Sequence, residues 1–102
     1  MVVKELIKPA SITVVGASNN PQKPGGKVVQ NLITGNFEGP VYPVNPKESE
    51  VQGLKAYAAV ADLPQVELAI LAIPAKLCTE TVKLLAEEKG TKAFIILSAG
   101  FS

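Results

Sequence analysis

Short apolar runs alternate along the chain with longer segments of helical periodicity. Val66–Ile73 is almost entirely apolar, as expected for a strand that is covered on both faces, and Lys92–Ser98 has an apolar centre. Ser11–Gly16 is a shorter β-branched run that ends in glycine. Gly25–Thr34 and Ala75–Lys89 place apolar residues at helical spacing. This alternation predicts an α/β protein in which helices cover a parallel sheet.

Two shorter runs complete the predicted sheet. Val41–Val44 is predicted as the second strand, and Pro43 indicates a position near the edge of the sheet. Leu54–Tyr57 is predicted as a short third strand. Right-handed crossovers then favour a Rossmann-like open sheet of about five strands, in the order 3-2-1-4-5, with helices on both faces. Gly35 and Gly90 are placed to end the two helices, Gly35 in a left-handed conformation.

The sequence stops at Ser102, directly after the fifth predicted strand, where a covering helix is expected. One face of that strand would then expose apolar surface. We therefore expect residues 1–102 to form one domain, the N-terminal part of a longer protein. A partner, or self-association through the uncovered face, is the other way to cover this surface.

Composition narrows the possible functions. The chain of 102 residues has a net charge of +1, so no basic field favours nucleic acid or a membrane surface. It has one cysteine, which excludes an internal disulfide. It has no histidine and therefore lacks the commonest general base. Cys78 lies on an apolar helical stripe and is predicted to pack in the core. We predict no metal, no catalytic residue, no membrane span and a cytoplasmic location.

A ligand site is predicted at one edge of the sheet. In open α/β sheets, ligands bind beyond the carboxyl ends of the strands, where the strand order reverses. In the predicted order, that point lies between the ends of the first and fourth strands. The segments expected to meet there are Gly16–Gly26, Val44–Lys47, Ile73–Ala75 and Ser98–Gly100.

The first of these segments has the order strand, polar turn and helix start that a phosphate cradle requires. Glycine permits the sharp turn, short polar side chains follow it, and the free amides and dipole of the helix start favour an anion. The residues suited to this role are Gly16, Ser18, Asn19, Asn20, Lys23, Gly25, Gly26 and Lys27. The segment is neither a dinucleotide fingerprint, which needs glycine at position 18, nor a P-loop. A polar surface turn followed by an ordinary helix is the alternative.

The other segments suggest the kind of nucleotide. An acidic residue usually follows the second strand in NAD sites, but this chain has Asn45-Pro46-Lys47 there. A lysine at this place suits a phosphorylated ribose, such as the 3′-phosphate of coenzyme A or the 2′-phosphate of NADP, although it could also be a solvated turn lysine. Pro74 offers an apolar ledge, and Ser98-Ala99-Gly100 offers small residues beside which a ligand could pass. These last two features could equally be ordinary strand-to-helix connections.

Several of these runs together resemble one family. Leu6–Ser18, Val41–Lys47, Leu54–Tyr57, Ala72–Ala75 and Ser98–Ser102 are similar, in order and spacing, to the start of the NDP-forming acyl-CoA synthetases. These enzymes include the ADP-forming acetyl-CoA synthetases and are related to the succinyl-CoA synthetase alpha subunit. The similarity spans essentially the whole chain.

The resemblance implies a Rossmann-like domain that binds coenzyme A. Gly16–Asn19 would approach the phosphates of CoA, and Lys47 would neutralise a phosphate. Pro74 and Ser98–Gly100 would line the path of the nucleotide and the pantetheine. Taken together, the predicted ligand-binding residues are Gly16, Ala17, Ser18, Asn19, Lys23, Gly25, Asn45, Pro46, Lys47, Pro74, Ser98, Ala99 and Gly100.

The resemblance also implies partners. The complete enzymes interconvert an acyl-CoA, a nucleoside diphosphate and phosphate with the free acid, CoA and a nucleoside triphosphate. They use a phosphohistidine domain and an ATP-grasp domain. Because this chain has no histidine, we expect it to bind CoA without catalysing the reaction alone. An NADP-binding redox or sensor domain and a stand-alone CoA-binding regulatory protein are the alternatives.

Overall fold

The computed structural model describes residues 9–97, which form a four-stranded parallel sheet, a separate hairpin and two α-helices. The sheet strands are β1 (Ile12–Val15), β2 (Val41–Val44), β5 (Leu68–Leu71) and β6 (Ala93–Ile96), in the order β2-β1-β5-β6. The hairpin strands are β3 (Glu50–Val51) and β4 (Leu54–Lys55). The helices are α1 (Pro24–Thr34), α2 (Ala75–Glu88) and a short 3-10 helix, Val60–Asp62. Within residues 9–97, no helix is both long and apolar enough to cross a membrane.

The two faces of the sheet carry separate apolar cores. Ile12 and Val14 of β1 pack in one cluster with Val29 of α1. Val15 of β1 packs in a second cluster with Leu85 of α2. Because successive side chains of a strand point to opposite faces, α1 and α2 cover opposite sides of the sheet. The predicted Rossmann-like α/β fold is confirmed, and so is the burial of Cys78, which is 7% exposed in the second cluster.

The prediction of a third sheet strand at Leu54–Tyr57 is wrong in its extent. Leu54–Lys55 pairs antiparallel with Glu50–Val51 instead, and only Tyr57 joins the main sheet, through a bridge to Val44. The Tyr57 amide donates to the Pro43 carbonyl oxygen at 2.8 Å. Since the N–H and C=O of a strand residue face the same edge, Pro43 has no donor to offer on that outer edge. Within residues 9–97 the sheet therefore has four full strands, with β2 at its edge as Pro43 indicates.

The helix ends follow the prediction at one glycine and not at the other. Gly90 follows α2 with a φ of 66°, as expected for a left-handed cap. Gly35 was expected to do the same, but its φ is −80°, and Asn36 takes the left-handed conformation with a φ of 57°. The amides of Asn36 and Phe37 bond the carbonyls of Ile33 and Leu32 at 3.1 Å each, the Schellman pattern. Asparagine tolerates this conformation, so α1 ends at Thr34 as predicted, but Asn36 and not Gly35 is the left-handed residue.

The last strand is partly uncovered. β6 lies at the other edge of the sheet, and Ile95 and Ile96 are 36% and 48% exposed. The two side chains point to opposite faces of the strand. Apolar surface is exposed at this strand as predicted, but on both faces and not on one.

Candidate functional site

Three of the four predicted segments meet at the carboxyl edge of the sheet. The Gly16 amide donates to the Val44 carbonyl oxygen at 3.1 Å, which joins the end of β1 to the end of β2. The Ala72 amide donates to the Val15 carbonyl oxygen at 2.8 Å, which joins the end of β5 to β1. The fourth predicted segment, Ser98–Gly100, lies outside the described residues.

The turn out of β1 depends on Gly16. Its φ is 90°, a conformation that glycine adopts without steric cost. A Cβ atom at this position would overlap the Ala72 carbonyl oxygen and lie 3.1 Å from a methyl carbon of Ile73. Gly16 therefore allows the loop after β1 to pass directly beside the end of β5, and the predicted sharp turn is confirmed.

Two glycines let the same loop lie on the start of α1. A Cβ atom on Gly25 would overlap the Gly16 carbonyl oxygen, and one on Gly26 would overlap the Asn20 carbonyl oxygen. Both glycines are buried. The loop of residues 16–23, which we call the anion loop, is therefore pressed against the first turn of α1.

The first turn of α1 has the properties of an anion site. Lys23 is the N-cap residue and Pro24 follows it, and no side chain within the described part of the chain caps the helix. The first turn contains no acidic residue. The leading amides of a helix have no intrahelical acceptor, and together with the helix dipole they favour negative charge. The site therefore presents donors and positive potential without a competing internal carboxylate.

The charged side chains around this turn are all exposed. One lysine lies on the anion loop, one in the first turn of α1 and one after β2. Two glutamates follow the lysine after β2 along the chain. The residues concerned are Lys23, Lys27, Lys47, Glu48 and Glu50. Lysines outnumber carboxylates by three to two in this group, so the local charge favours an anion only modestly.

Asn45 connects the turn after β2 to the anion loop. Its side-chain amide donates to the Ala17 carbonyl oxygen at 2.8 Å. Its side-chain oxygen accepts a bond of 2.7 Å from the Lys47 amide, across Pro46, and its own amide donates to Tyr57. Asn45 is thus half-buried and internally bonded, and it sets where Lys47 leaves the turn.

An apolar ledge lies beside the helix start. Pro24 of α1 and the residues Ala72, Ile73 and Pro74 after β5 line a shallow depression of about 220 Å³. This brings the predicted Pro74 ledge next to the anion loop. A larger depression of about 400 Å³ lies near the end of α1 and the start of β2, but it has no charged lining residue and is remote from the carboxyl edge.

Several polar side chains predicted to face a ligand have internal partners. The Ser18 hydroxyl oxygen accepts a bond of 2.9 Å from the Asn20 amide. The Asn19 side chain donates to the Glu50 carbonyl oxygen at 3.0 Å and accepts from the Gln52 amide at 2.6 Å. Sequence reasoning did not single out Gln52, because a glutamine before a glycine in a polar hairpin looks like ordinary solvated surface.

The fold and this edge of the sheet define a class of protein. An open α/β sheet, with a glycine-opened helix start at the carboxyl end of its first strand, is a Rossmann-like domain built for an anionic ligand. The chain belongs to the CoA-binding domain family, whose sequence profile matches residues 10–102.

Relatives and solved structures agree with this assignment. The chain is 44% identical over 101 residues to a trans-feruloyl-CoA synthase from an unknown prokaryotic organism. It is 47% identical over 95 residues to the alpha subunit of an ADP-forming acetate–CoA ligase II from Pyrococcus furiosus. The structure superimposes with a TM-score of 0.87, at 35% identity, on an acetyl-coenzyme A synthetase from Candidatus Korarchaeum cryptofilum solved with phosphate and ADP.

These similarities cover nearly all of this chain and a small part of each longer protein. The two relatives are matched over 98% and 91% of this chain, but over only 14% and 20% of their own lengths. The solved structure is matched over 98% of this chain and 22% of its own. The predicted resemblance to the ADP-forming acyl-CoA synthetases is confirmed for the CoA-binding domain.

Proposed function

We propose that the chain is the CoA-binding part of an ADP-forming acid–CoA ligase and holds the nucleotide end of CoA at the carboxyl edge of its sheet. The observation that carries this proposal is the uncapped, glycine-opened first turn of α1, facing the end of β1 in a domain of the CoA-binding family. We take residues 1–102 to be the N-terminal domain of a longer protein.

The diphosphate of CoA is the group that fits the anion loop. Amides of Ser18, Asn19 and the first turn around Gly25 would donate to its oxygens, and Lys23 would add charge from the N-cap position. The amides of Gly16 and Ala17 already donate to the Val44 carbonyl oxygen, at 3.1 and 3.2 Å, so these two residues would shape the loop. Backbone amides suit this role because their direction is set by the packed glycines. Without arginine, the chain has no bidentate side chain to take their place.

The 3′-phosphate on the ribose of CoA is assigned to Lys47. This exposed lysine leaves the turn that Asn45 and Pro46 form at the end of β2. The ribose of a nucleotide bound at a Rossmann-like edge reaches the end of the second strand. A lysine there would discriminate CoA from dephospho-CoA through one charged contact.

The pantetheine arm would then run along the apolar ledge. Pro24, Ile73 and Pro74 offer carbon surface without a competing charge. We propose the small residues of Ser98–Gly100, a segment outside the described residues, as the remainder of the path. The thiol would emerge at the end of the sheet, where other domains can reach it.

The rest of the ligase would supply the chemistry. With no histidine, this chain has no residue that could take up the phosphate group as a phosphohistidine. We propose phosphohistidine and ATP-grasp domains as its partners, and the cytoplasm, where CoA and nucleotides are available, as its location. The role of this domain is to bind and orient CoA.

Isothermal titration of the chain with CoA, dephospho-CoA and NADPH tests the proposal. We expect CoA to bind more tightly than dephospho-CoA by about tenfold, the value of one well-placed charged contact. NADPH should bind more weakly than CoA. Equal affinity for CoA and dephospho-CoA would remove the role of Lys47, and a preference for NADPH would replace the assignment with an NADP-binding domain.

A further inference from the structure

The β3–β4 hairpin is fastened to the anion loop by three hydrogen bonds and to the first turn of α1 by a fourth, and the four bonds share two side chains. The side-chain nitrogen of Gln52 donates to the carbonyl oxygens of Ser18 and Gly26, both at 2.9 Å. The Gln52 amide donates to the Asn19 side-chain oxygen at 2.6 Å. The Asn19 side-chain nitrogen donates to the Glu50 carbonyl oxygen at 3.0 Å. A segment far along the chain thus holds the loop where the proposed diphosphate binds.

The Gln52 side chain uses its whole donor capacity on two backbone carbonyl oxygens. A primary amide has two N–H groups, and the two acceptors are the anion loop and the first turn of α1. The side chain therefore ties Ser18 of the anion loop to Gly26 of α1. Gln52 does so with a φ of 51°, a left-handed conformation that is uncommon for a residue with a side chain. Together with a φ of 88° at Gly53, this is the conformation of a two-residue type I′ hairpin turn.

The bond to Ser18 also fixes the direction of the next amide. In a planar trans peptide the C=O and the following N–H point in opposite directions. Because Gln52 holds the Ser18 carbonyl toward the hairpin, the Asn19 N–H points away from the hairpin. An amide that is oriented before the ligand arrives needs no ordering when the ligand binds.

We propose that Gln52 is a positioning residue for the anion loop: it contacts no ligand and raises affinity by holding the Ser18 and Gly26 carbonyls in place. This inference rests on the proposed function, since the loop matters for affinity only if the diphosphate of CoA binds there. It assigns to the hairpin a role in ligand binding that its exposed, polar sequence does not suggest.

The test replaces Gln52 by methionine, which keeps the length of the side chain and removes both donors. Gln52→Gly is the second variant, because glycine adopts the positive φ freely and preserves the hairpin if methionine does not. Gln30→Met, at an exposed position of α1, is the matched control. Hydrogen exchange is followed by NMR at the amides of Asn20 and Lys23, which are bonded within the loop.

In the ligand-free variants we expect exchange at these two loop amides to rise at least about tenfold, and exchange in α2 to stay unchanged. CoA affinity should fall about tenfold, with the ratio between CoA and dephospho-CoA preserved, because Lys47 is untouched. Gln30→Met should change neither quantity. A folded variant with wild-type affinity for CoA would overturn the proposal, even if its stability were lower.

The proposed function and the positioning role of Gln52 are refuted by different results. If the wild-type chain itself does not bind CoA, the proposed function fails. The exchange data then still decide whether Gln52 orders the loop. Unchanged exchange at Asn20 and Lys23 in a folded variant would refute the positioning role whatever the ligand.

Discussion

The backbone of Gly25 lies so close to Gly16 that a Cβ atom on Gly25 would overlap the Gly16 carbonyl oxygen. The contact joins the start of α1 to the end of β1, and it involves backbone on both sides. Neither partner can move aside as a flexible side chain could. The anion loop and the helix start therefore form one packed unit.

Gly25→Ala should break this unit. The methyl group would force the helix start away from the loop, and we expect the free energy of unfolding to fall by about 1–3 kcal/mol, as overpacking typically costs. CoA affinity should fall by tenfold or more, since the amides lose their alignment. Urea unfolding and titration calorimetry measure the two effects.

Gly35→Ala is the control for this change. It adds the same methyl group at the other end of α1, where φ is −80° and the nearest atom to the new Cβ is 3.0 Å away. We expect CoA affinity to be unchanged in this variant. If Gly25→Ala bound CoA as tightly as the control does, the helix start would not be part of the site.

Lys47→Met should weaken CoA and leave dephospho-CoA nearly unaffected. Removing one exposed charge from a phosphate contact should cost about five- to tenfold in CoA affinity, and less at high salt because the contact is screened. Lys83→Met, an exposed lysine of α2, is the control for the loss of one positive charge. Equal weakening of both ligands by Lys47→Met would mean that the lysine acts on another part of the nucleotide.

The order of the sheet strands could be predicted because three strong signals agree. The run around Leu68–Leu71 is apolar at every position, Gly16 marks the turn out of β1, and right-handed crossovers leave few arrangements. The meeting of the strand ends then follows from parallel pairing alone. For the same reason, the placement of Asn45 and Pro74 near Gly16 needed no knowledge of side-chain contacts.

The hairpin could not be predicted because its cause is tertiary. Leu54 and Tyr57 have good strand propensity, but the outer edge of β2 lacks a donor at Pro43, so pairing there stops at one bridge. Gln52 and Gly53 take the positive φ values, 51° and 88°, of a two-residue type I′ turn, for which Asn-Gly is the usual sequence signal and Gln-Gly is not. Bonds from Gln52 to Ser18 and Asn19, more than 30 residues earlier, support this turn. Strand propensity does not report such long-range contacts.

Asn45→Asp and Asn45→Ala should separate the structural and electrostatic roles of the turn after β2. Both variants lose the donor to the Ala17 carbonyl, and each should lose about 1–2 kcal/mol of stability. Aspartate also places a negative charge beside the proposed phosphate site. We expect Asn45→Asp to bind CoA more weakly than Asn45→Ala does, and the difference in affinity to shrink as salt is added. A difference that is independent of salt would argue against an anion at this turn.

Two buried threonines should respond in opposite ways to valine. Thr13 is fully buried and its hydroxyl donates to the Tyr42 carbonyl at 2.7 Å, so Thr13→Val should cost about 1 kcal/mol. The buried hydroxyl oxygen of Thr91 has no hydrogen-bond partner within residues 9–97, so Thr91→Val should leave stability unchanged or raise it. Chemical denaturation of both variants measures the contrast. A clear loss in Thr91→Val would reveal a partner for that hydroxyl.

The exposed edge of β6 should make the isolated chain self-associate at high concentration. An edge strand presents unpaired backbone groups, and Ile95 and Ile96, at 36% and 48% exposure, add apolar surface on both of its faces. Sedimentation over a concentration series should therefore show association, and Ile96→Lys should reduce it, because a lysine on an edge strand opposes pairing. Ile33→Lys is the matched control, since Ile33 is 42% exposed but lies on α1 and not on β6. Equal loss of association in both variants would mean that exposed apolar surface in general, and not the edge of β6, makes the contact. A chain that stays monomeric at every concentration would contradict the prediction.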